Sequence, residues 1–188
     1  MADTRERQPD ARGRLVTAPI ALLQERGVHG PGVAELLERS GTARGSLYQH
    51  FPGGKGDLVV ASVESAAAYL ATEVLAPEGA DPSPRAVLDR LLDWWTRVLR
   101  RTDFGRGCPI AAAASAGPDE EVCVAAAAAA FTDWRATLGA HLADPSLAGL
   151  VVSAVEGALL QARALRSTEP LEEVRRHLGP LVASATVA

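Results

Sequence analysis

The chain has 188 residues, of which 47% are hydrophobic, and a formal net charge of −4. That length holds one ordinary domain or a small one joined to a larger one, and the charge excludes a globally basic surface as the means of holding a polyanion. The charge is uneven: residues 1–57 carry 8 Lys+Arg against 7 Asp+Glu, and residues 58–188 carry 11 against 16, so only the first part would not repel DNA.

The composition is rich in Ala and Leu with few β-branched runs, which favours helices throughout. Cys108 and Cys123 are too few for a disulfide scaffold or a four-ligand zinc site, and no cofactor or metal is expected. No apolar run of about 18 residues is free of charge, so no membrane span is expected. The opening MADTRERQPDARGR has no apolar core of the kind a secretory signal needs. A cytoplasmic protein is the expectation.

Residues 1–9 read as a disordered, charged arm. A first helix is predicted from about Asp10 to Arg26, with Leu15, Val16, Ile20, Leu22 and Leu23 on its apolar side and Gly27 as its stop. Pro19 lies inside it and predicts a kink, at a cost of about 3 kcal/mol in an unrelieved interior. HGPG at 29–32 is a turn, with Pro31 near the start of a second helix that buries Val33, Leu36 and Leu37. Ser40 and Gly41 end that helix. A third runs from about Ala43 to Phe51, with Leu47 and Phe51 four apart facing a core. PGG at 52–54 breaks the chain, and a fourth helix is predicted from about Lys55 to Leu75.

APEGADPSP at 76–84 is a polar break between helical layers. Helices then follow over about 84–101, 109–116, 119–142, 146–166 and 171–187. Ser167 or Thr168 is expected to cap the last. The prediction is an all-α chain of about nine helices with no strand.

The second and third helices with their tight turn carry the functional signal. A helix-turn-helix lays its second helix in the major groove, where base edges are read, while flanking groups hold phosphates. Arg44 suits the bidentate contact of guanine, Gln49 pairs with adenine, and Ser46 suits several bases. Gly45 allows close approach of the backbone. Tyr48 and His50 can donate to phosphates, and Lys55 adds charge at a helix start that itself attracts phosphate. The alternative is a solvated face of a small helical hairpin.

Enzyme signatures are missing. His29, His50, His141 and His177 form no HExxH, no Ser or Cys sits in a nucleophile elbow, and FPGGKGD lacks P-loop spacing.

SGTARGSLYQHF, with RGRLVTAPIALLQERG before it and Lys55 after it, resembles the DNA-binding domain of the TetR family of transcriptional regulators. PGGK, RGCPIAA and VEGALLQARALRS resemble the LmrA/YxaF-like branch. The resemblance departs at Pro19, at Pro31 and Gly32 where a hydroxyl residue is usual, and at Ala43 where Ser is usual; Thr42 is the alternative cap. It implies an N-terminal three-helix helix-turn-helix domain at 10–54 and a C-terminal ligand-binding and dimerisation domain at 55–188. It also implies a homodimer on a palindromic double-stranded DNA operator, with Thr42 joining the contacting residues, and release by a small-molecule effector. A helical ligand-binding protein with impaired DNA binding is the runner-up.

Trp94, Trp95, Phe104, Cys108, Phe131, Trp134 and Glu156 are the candidate pocket residues. Adjacent Trp94 and Trp95 cannot face the same way, so one is core and the other pocket or surface. Glu156 in an apolar helix can meet a ligand or pair with Arg163 or Arg135. Cys108, before Pro109 at a helix start, is either a thiol of lowered pKa or a small packing residue. Small residues from Ala148 to Ala164 suit close helix approach in a four-helix dimer interface.

Overall fold

The structure, a computed structural model, describes residues 10–185; the expected arm at 1–9 lies outside the described residues. Among these the chain forms nine α-helices and no strand. They are α1 (Ala11–Arg26), α2 (Val33–Ser40), α3 (Arg44–His50), α4 (Lys55–Tyr69), α5 (Pro84–Arg101), α6 (Pro109–Ala114), α7 (Glu121–Gly139), α8 (Ser146–Leu165) and α9 (Glu169–Ser184).

α1 starts where Asp10 accepts the Gly13 N–H at 2.7 Å, a side-chain cap for an otherwise unpaired donor. Pro19 is buried within it and does not end it. The Ser62 hydroxyl of α4, fully buried, lies 2.9 Å from the Val16 carbonyl of α1 and 2.7 Å from that of Leu58, and ties the two helices together one residue from the Leu15 carbonyl that Pro19 leaves without its helical donor.

α2 closes in a left-handed Gly41 (φ 61°), whose N–H reaches the Glu38 carbonyl, while the Thr42 N–H reaches that of Leu37. This turn sets the angle between α2 and α3. α1, α2 and α3 share a small core of Leu15, Val16, Leu22, Leu36, Leu47, Phe51 and Leu58. A larger core fills the space between α4 and α9, centred on Trp95, Leu88, Leu92, Leu99 and Leu159. Leu23 of α1 and Val59 and Val63 of α4 belong to the larger core, so these two helices span both.

The predicted fourth helix changes winding. After Tyr69, residues Leu70–Leu75 form a π-helix. The Arg90 guanidinium donates to the carbonyls of Val74 (3.3 Å), Leu75 (2.9 Å) and Asp81 (2.6 Å), holding the end of that segment. π segments inside helices tend to mark functional places, and Leu70 borders a cavity. At the last helix, Ser167 accepts the Glu169 N–H at 3.1 Å, while Thr168 occupies the cap position without a side-chain bond.

Two stretches, Lys55–Leu75 and Ser146–Leu165, are long and apolar enough to cross a membrane by length and composition. Neither is free of charge, since Glu64 and Glu73 interrupt the first and Glu156 and Arg163 the second. Both are packed elements here: α4 lies against α1 and α7, and α8 against α7 and α9.

Candidate nucleic-acid interface and effector cavities

α3 is seven residues long and is held by one fully buried side chain, Leu47, with Phe51 behind it. Arg44, Gly45, Tyr48, Gln49 and His50 are exposed, and Ser46 is half-buried. Tyr48 keeps 47% of its surface in solvent, a large share for an aromatic residue. Among the described residues Arg44 and Gln49 have no hydrogen-bond or ion-pair partner. The candidate reading residues thus form one face of one helix, its cationic and amide groups uncommitted.

Thr42 does not cap α3. Its hydroxyl pairs with that of Ser40 at 2.6 Å, and Ala43, at the cap position, supplies no side chain for the task. The Ser46 N–H turns back to the Ala43 carbonyl at 3.0 Å, and the N–H groups of Arg44 and Gly45 are left for solvent or another acceptor.

The FPGG turn has a physical reason. Gly54 has φ 73° and ψ −129°, a conformation close to glycine's own that costs an L side chain about 1–3 kcal/mol. Gly53 donates its N–H to the Asp57 carboxylate at 2.7 Å, in the first turn of α4. Gly54 is therefore the glycine that the start of α4 requires. Lys55 is half-buried at that start, close enough to Cys123 of α7 to favour its thiolate. Burial first, and then Glu120, nonetheless push the Cys123 thiol up to about 11.

The seven candidate pocket residues do not share one space. Trp94, Trp95 and Trp134 line a cavity of about 260 Å³ with Tyr69, Leu70 and Ile110, closed by Thr17, Ile20 and Gln24 of α1 and Ser65 of α4. Trp95 is core, 1% exposed, and Trp94 is half-buried, their ring centroids 4.5 Å apart at 71°. The Trp134 indole N–H donates to the Ala67 carbonyl at 3.2 Å, fixing the ring to α4. Cys108 and Glu156 instead line a larger cavity of about 660 Å³ between the end of α1, α6 and α8, with Arg163.

Phe104 and Phe131 line neither cavity. Phe104 closes the loop after α5 at φ 59°, its ring under the Arg166 guanidinium at 5.9 Å. Phe131 meets Trp134 edge to face at 5.8 Å and supports it from behind. Sequence spacing placed both aromatics near the cavities but not on the side facing them. Tyr69 and Ser65, four apart on α4, and Arg163 on α8 were missed as lining residues. The i, i+4 spacing of Ser65 and Tyr69 was the available signal.

Glu156 forms no ion pair with Arg163 or Arg135. Burial pushes its carboxyl up to about 7, and hydrogen bonding to Cys108 opposes that rise. Cys108 is fully enclosed, and burial and then the Glu156 charge hold its thiol well above the ordinary range. Its sulfur caps α6 by accepting the Ala111 N–H at 3.5 Å. The lowered-pKa thiol is overturned: this cysteine packs and caps, and is not primed to react.

The small residues of α8 also divide. Ala148, Ala158 and Ala162 are buried within the subunit, whereas Leu150, Leu160 and Leu165 of α8 and Leu181 of α9 are exposed.

A helix-turn-helix on its own small core, joined by shared helices to an all-helical body with internal cavities, defines the class of helical DNA-binding transcription regulators. Residues 15–61 match the family of bacterial regulatory proteins, tetR family, and residues 84–177 match the C-terminal domain of LmrA/YxaF-like transcriptional regulators. The HTH-type transcriptional regulator Rv0196 of Mycobacterium tuberculosis, itself uncharacterized, is 36% identical over 185 residues, covering 91% of this chain and 93% of that protein. The HTH-type transcriptional regulator LmrA of Bacillus subtilis is 26% identical over 171 residues, covering 86% and 91%. Among solved structures, the regulatory protein TetR from Rhodobacter sphaeroides superposes with a TM-score of 0.76 at 25% identity, covering 90% of this chain and 97% of that one. Reduced NemR from E. coli gives 0.69 at 26% identity, covering 92% and 97%. The chain belongs to the TetR family of transcriptional regulators, in its LmrA/YxaF-like branch. That is a family of DNA-binding regulators rather than enzymes.

Proposed function

We propose that the protein is a cytoplasmic, dimeric, ligand-released repressor that binds a palindromic operator through α3. The observation that carries this reading is the uncommitted polar face of α3, with Leu47 locking the helix from behind. Arg44 and Gln49 read base edges, with Ser46 and the close approach at Gly45. Thr42, Tyr48, His50 and Lys55 contact the backbone, as does the open N-terminal end of α3. The working division is 10–54 for DNA and 55–188 for effector and dimer, with α1 and α4 mechanically common to both.

The exposed leucines of α8 and α9 support a dimer face of two helices per subunit. The effector is a small apolar or aromatic molecule held by Trp94, Trp95 and Trp134. Its cavity is walled by α1 and α4, the two helices that also carry the small core. An effector that binds better to one spacing of the two reading heads shifts the dimer toward it and lowers operator affinity.

The test is a mobility shift with DNA upstream of the protein's own gene at two salt concentrations. Tight binding that weakens steeply with salt, as counterions are released, and that Gln49→Ala abolishes, is expected. Salt-insensitive or absent binding by an intact dimer would favour the second reading, a helical ligand-binding protein with a disabled reading head. The missing side-chain caps at Gly32 and Ala43 favour that second reading.

A further inference from the structure

We propose that the cavity between α1, α6 and α8 is a second small-molecule site, built for an apolar monocarboxylate that Arg163 receives. The site is separate from the tryptophan-lined cavity and has about 660 Å³ of space, within the range of small-molecule pockets. Most of its wall is apolar, with Leu23, Ala112, Leu159 and Leu160 among the lining residues.

One polar atom in its wall, the Nε of Arg163, lacks the partner that burial demands. Arg163 spends one N–H on the Gly105 carbonyl at 3.2 Å, and its Nε is buried with no partner among the described residues. Its guanidinium lies against the backbone of Gly107, where a Cβ would fall 2.7 Å from Nη1; the missing side chain is what admits it. Among the described residues no carboxylate pairs with it. The other charged groups of this cavity are already matched: Glu25 with Arg106 at 3.0 Å, Arg26 with Glu35, and His29 facing Glu120 at 4.0 Å.

Glu156 lies two turns before Arg163 on α8 and borders the same space. Its enclosed carboxyl is held to about 7, so near neutrality much of it is protonated. A neutral carboxyl donates a hydrogen bond and does not repel an anion. A permanent cation without a counter-ion beside a readily neutral acid favours an incoming carboxylate, which a guanidinium receives through paired N–H groups. An incoming amine would meet the Arg163 charge and would have to ionise a buried acid.

The site is testable without DNA, so its failure is distinct from failure of the proposed DNA binding. The full-length protein is titrated calorimetrically with decanoate, decylamine and decanol. Decanoate is expected to bind at least about tenfold more tightly than either of the others. Arg163→Gln is expected to lose at least about tenfold in decanoate affinity, and Arg163→Lys, which keeps the charge but loses Nε, most of that. Ala112→Phe, which fills the cavity, should abolish binding, with thermal melting confirming that each variant is folded. Preference for decylamine, no binding of decanoate, or decanoate binding that survives in folded Arg163→Gln and Ala112→Phe but is lost in Trp94→Leu would overturn the proposal.

Discussion

The two cores of this protein treat polar groups in opposite ways. Around α1, α2 and α3 the interior is apolar apart from the hydrogen-bonded hydroxyls of Ser40 and Ser62, and the uncommitted polar groups stand outside on α3. Between α4 and α9 the interior holds cavities, and within them lie the enclosed carboxyl of Glu156, bonded to Cys108, and the unpartnered Nε of Arg163. The proposed function draws on this asymmetry: one surface that stays rigid and available to DNA, and one interior that an effector would fill.

Truncating the small core is the harshest way to break the comparison. Leu47→Ala removes the one fully buried side chain of α3 and should cost about 2–5 kcal/mol of stability. DNA binding should be lost with it, and chemical denaturation read by circular dichroism checks both.

The second test concerns the acid in the larger core. Glu156 has a folded-state value of about 7 against an ordinary 4.5. Between those values the folded chain keeps a proton that the unfolded chain has released, so stability falls as pH rises through that window and levels off above about 7. The full difference is at most about 3 kcal/mol, less whatever cavity water restores. Glu156→Gln should flatten the profile, and denaturant melts between pH 4.5 and 8 would show it. A parallel slope in the variant would remove Glu156 from the account.

Gly54→Ala, which puts a side chain at φ 73° and ψ −129°, should cost about 1–3 kcal/mol. A stabilised Gly54→Ala variant would mean that the FPGG turn is not held as described. The smallest of these effects belongs to Ser62→Ala, which sharpens the contrast at the joint between the regions: it removes the hydroxyl that ties α4 to the Val16 carbonyl of α1 and should cost about 1 kcal/mol.

The same asymmetry explains what the sequence reveals. The nine helices were legible because Gly, Pro and polar breaks punctuate the chain, and because Leu47 and Phe51 recur at helical spacing. The α3 face was legible because an exposed reading surface is a contiguous string of residues. The cavities were not. They are assembled from α1, α4, α6 and α8, whose separation in sequence hides that Tyr69 meets Trp94 or that Arg163 reaches Gly107. The Ser62 bond to Val16 was hidden for the same reason. Which side of each helix faces empty space follows from packing alone, and Phe104 and Phe131 line neither the tryptophan-lined cavity nor the one beside Arg163.

The most direct measurement pairs stability and DNA affinity on one variant, Arg44→Ala. An exposed, unpartnered side chain away from the core should change stability by less than about 0.5 kcal/mol. Loss of a bidentate base contact should weaken operator binding by roughly tenfold to a hundredfold. An unchanged melt with that loss of affinity is the predicted result. Operator binding that is unaffected by Arg44→Ala would contradict the claim that the exposed face of α3 reads DNA.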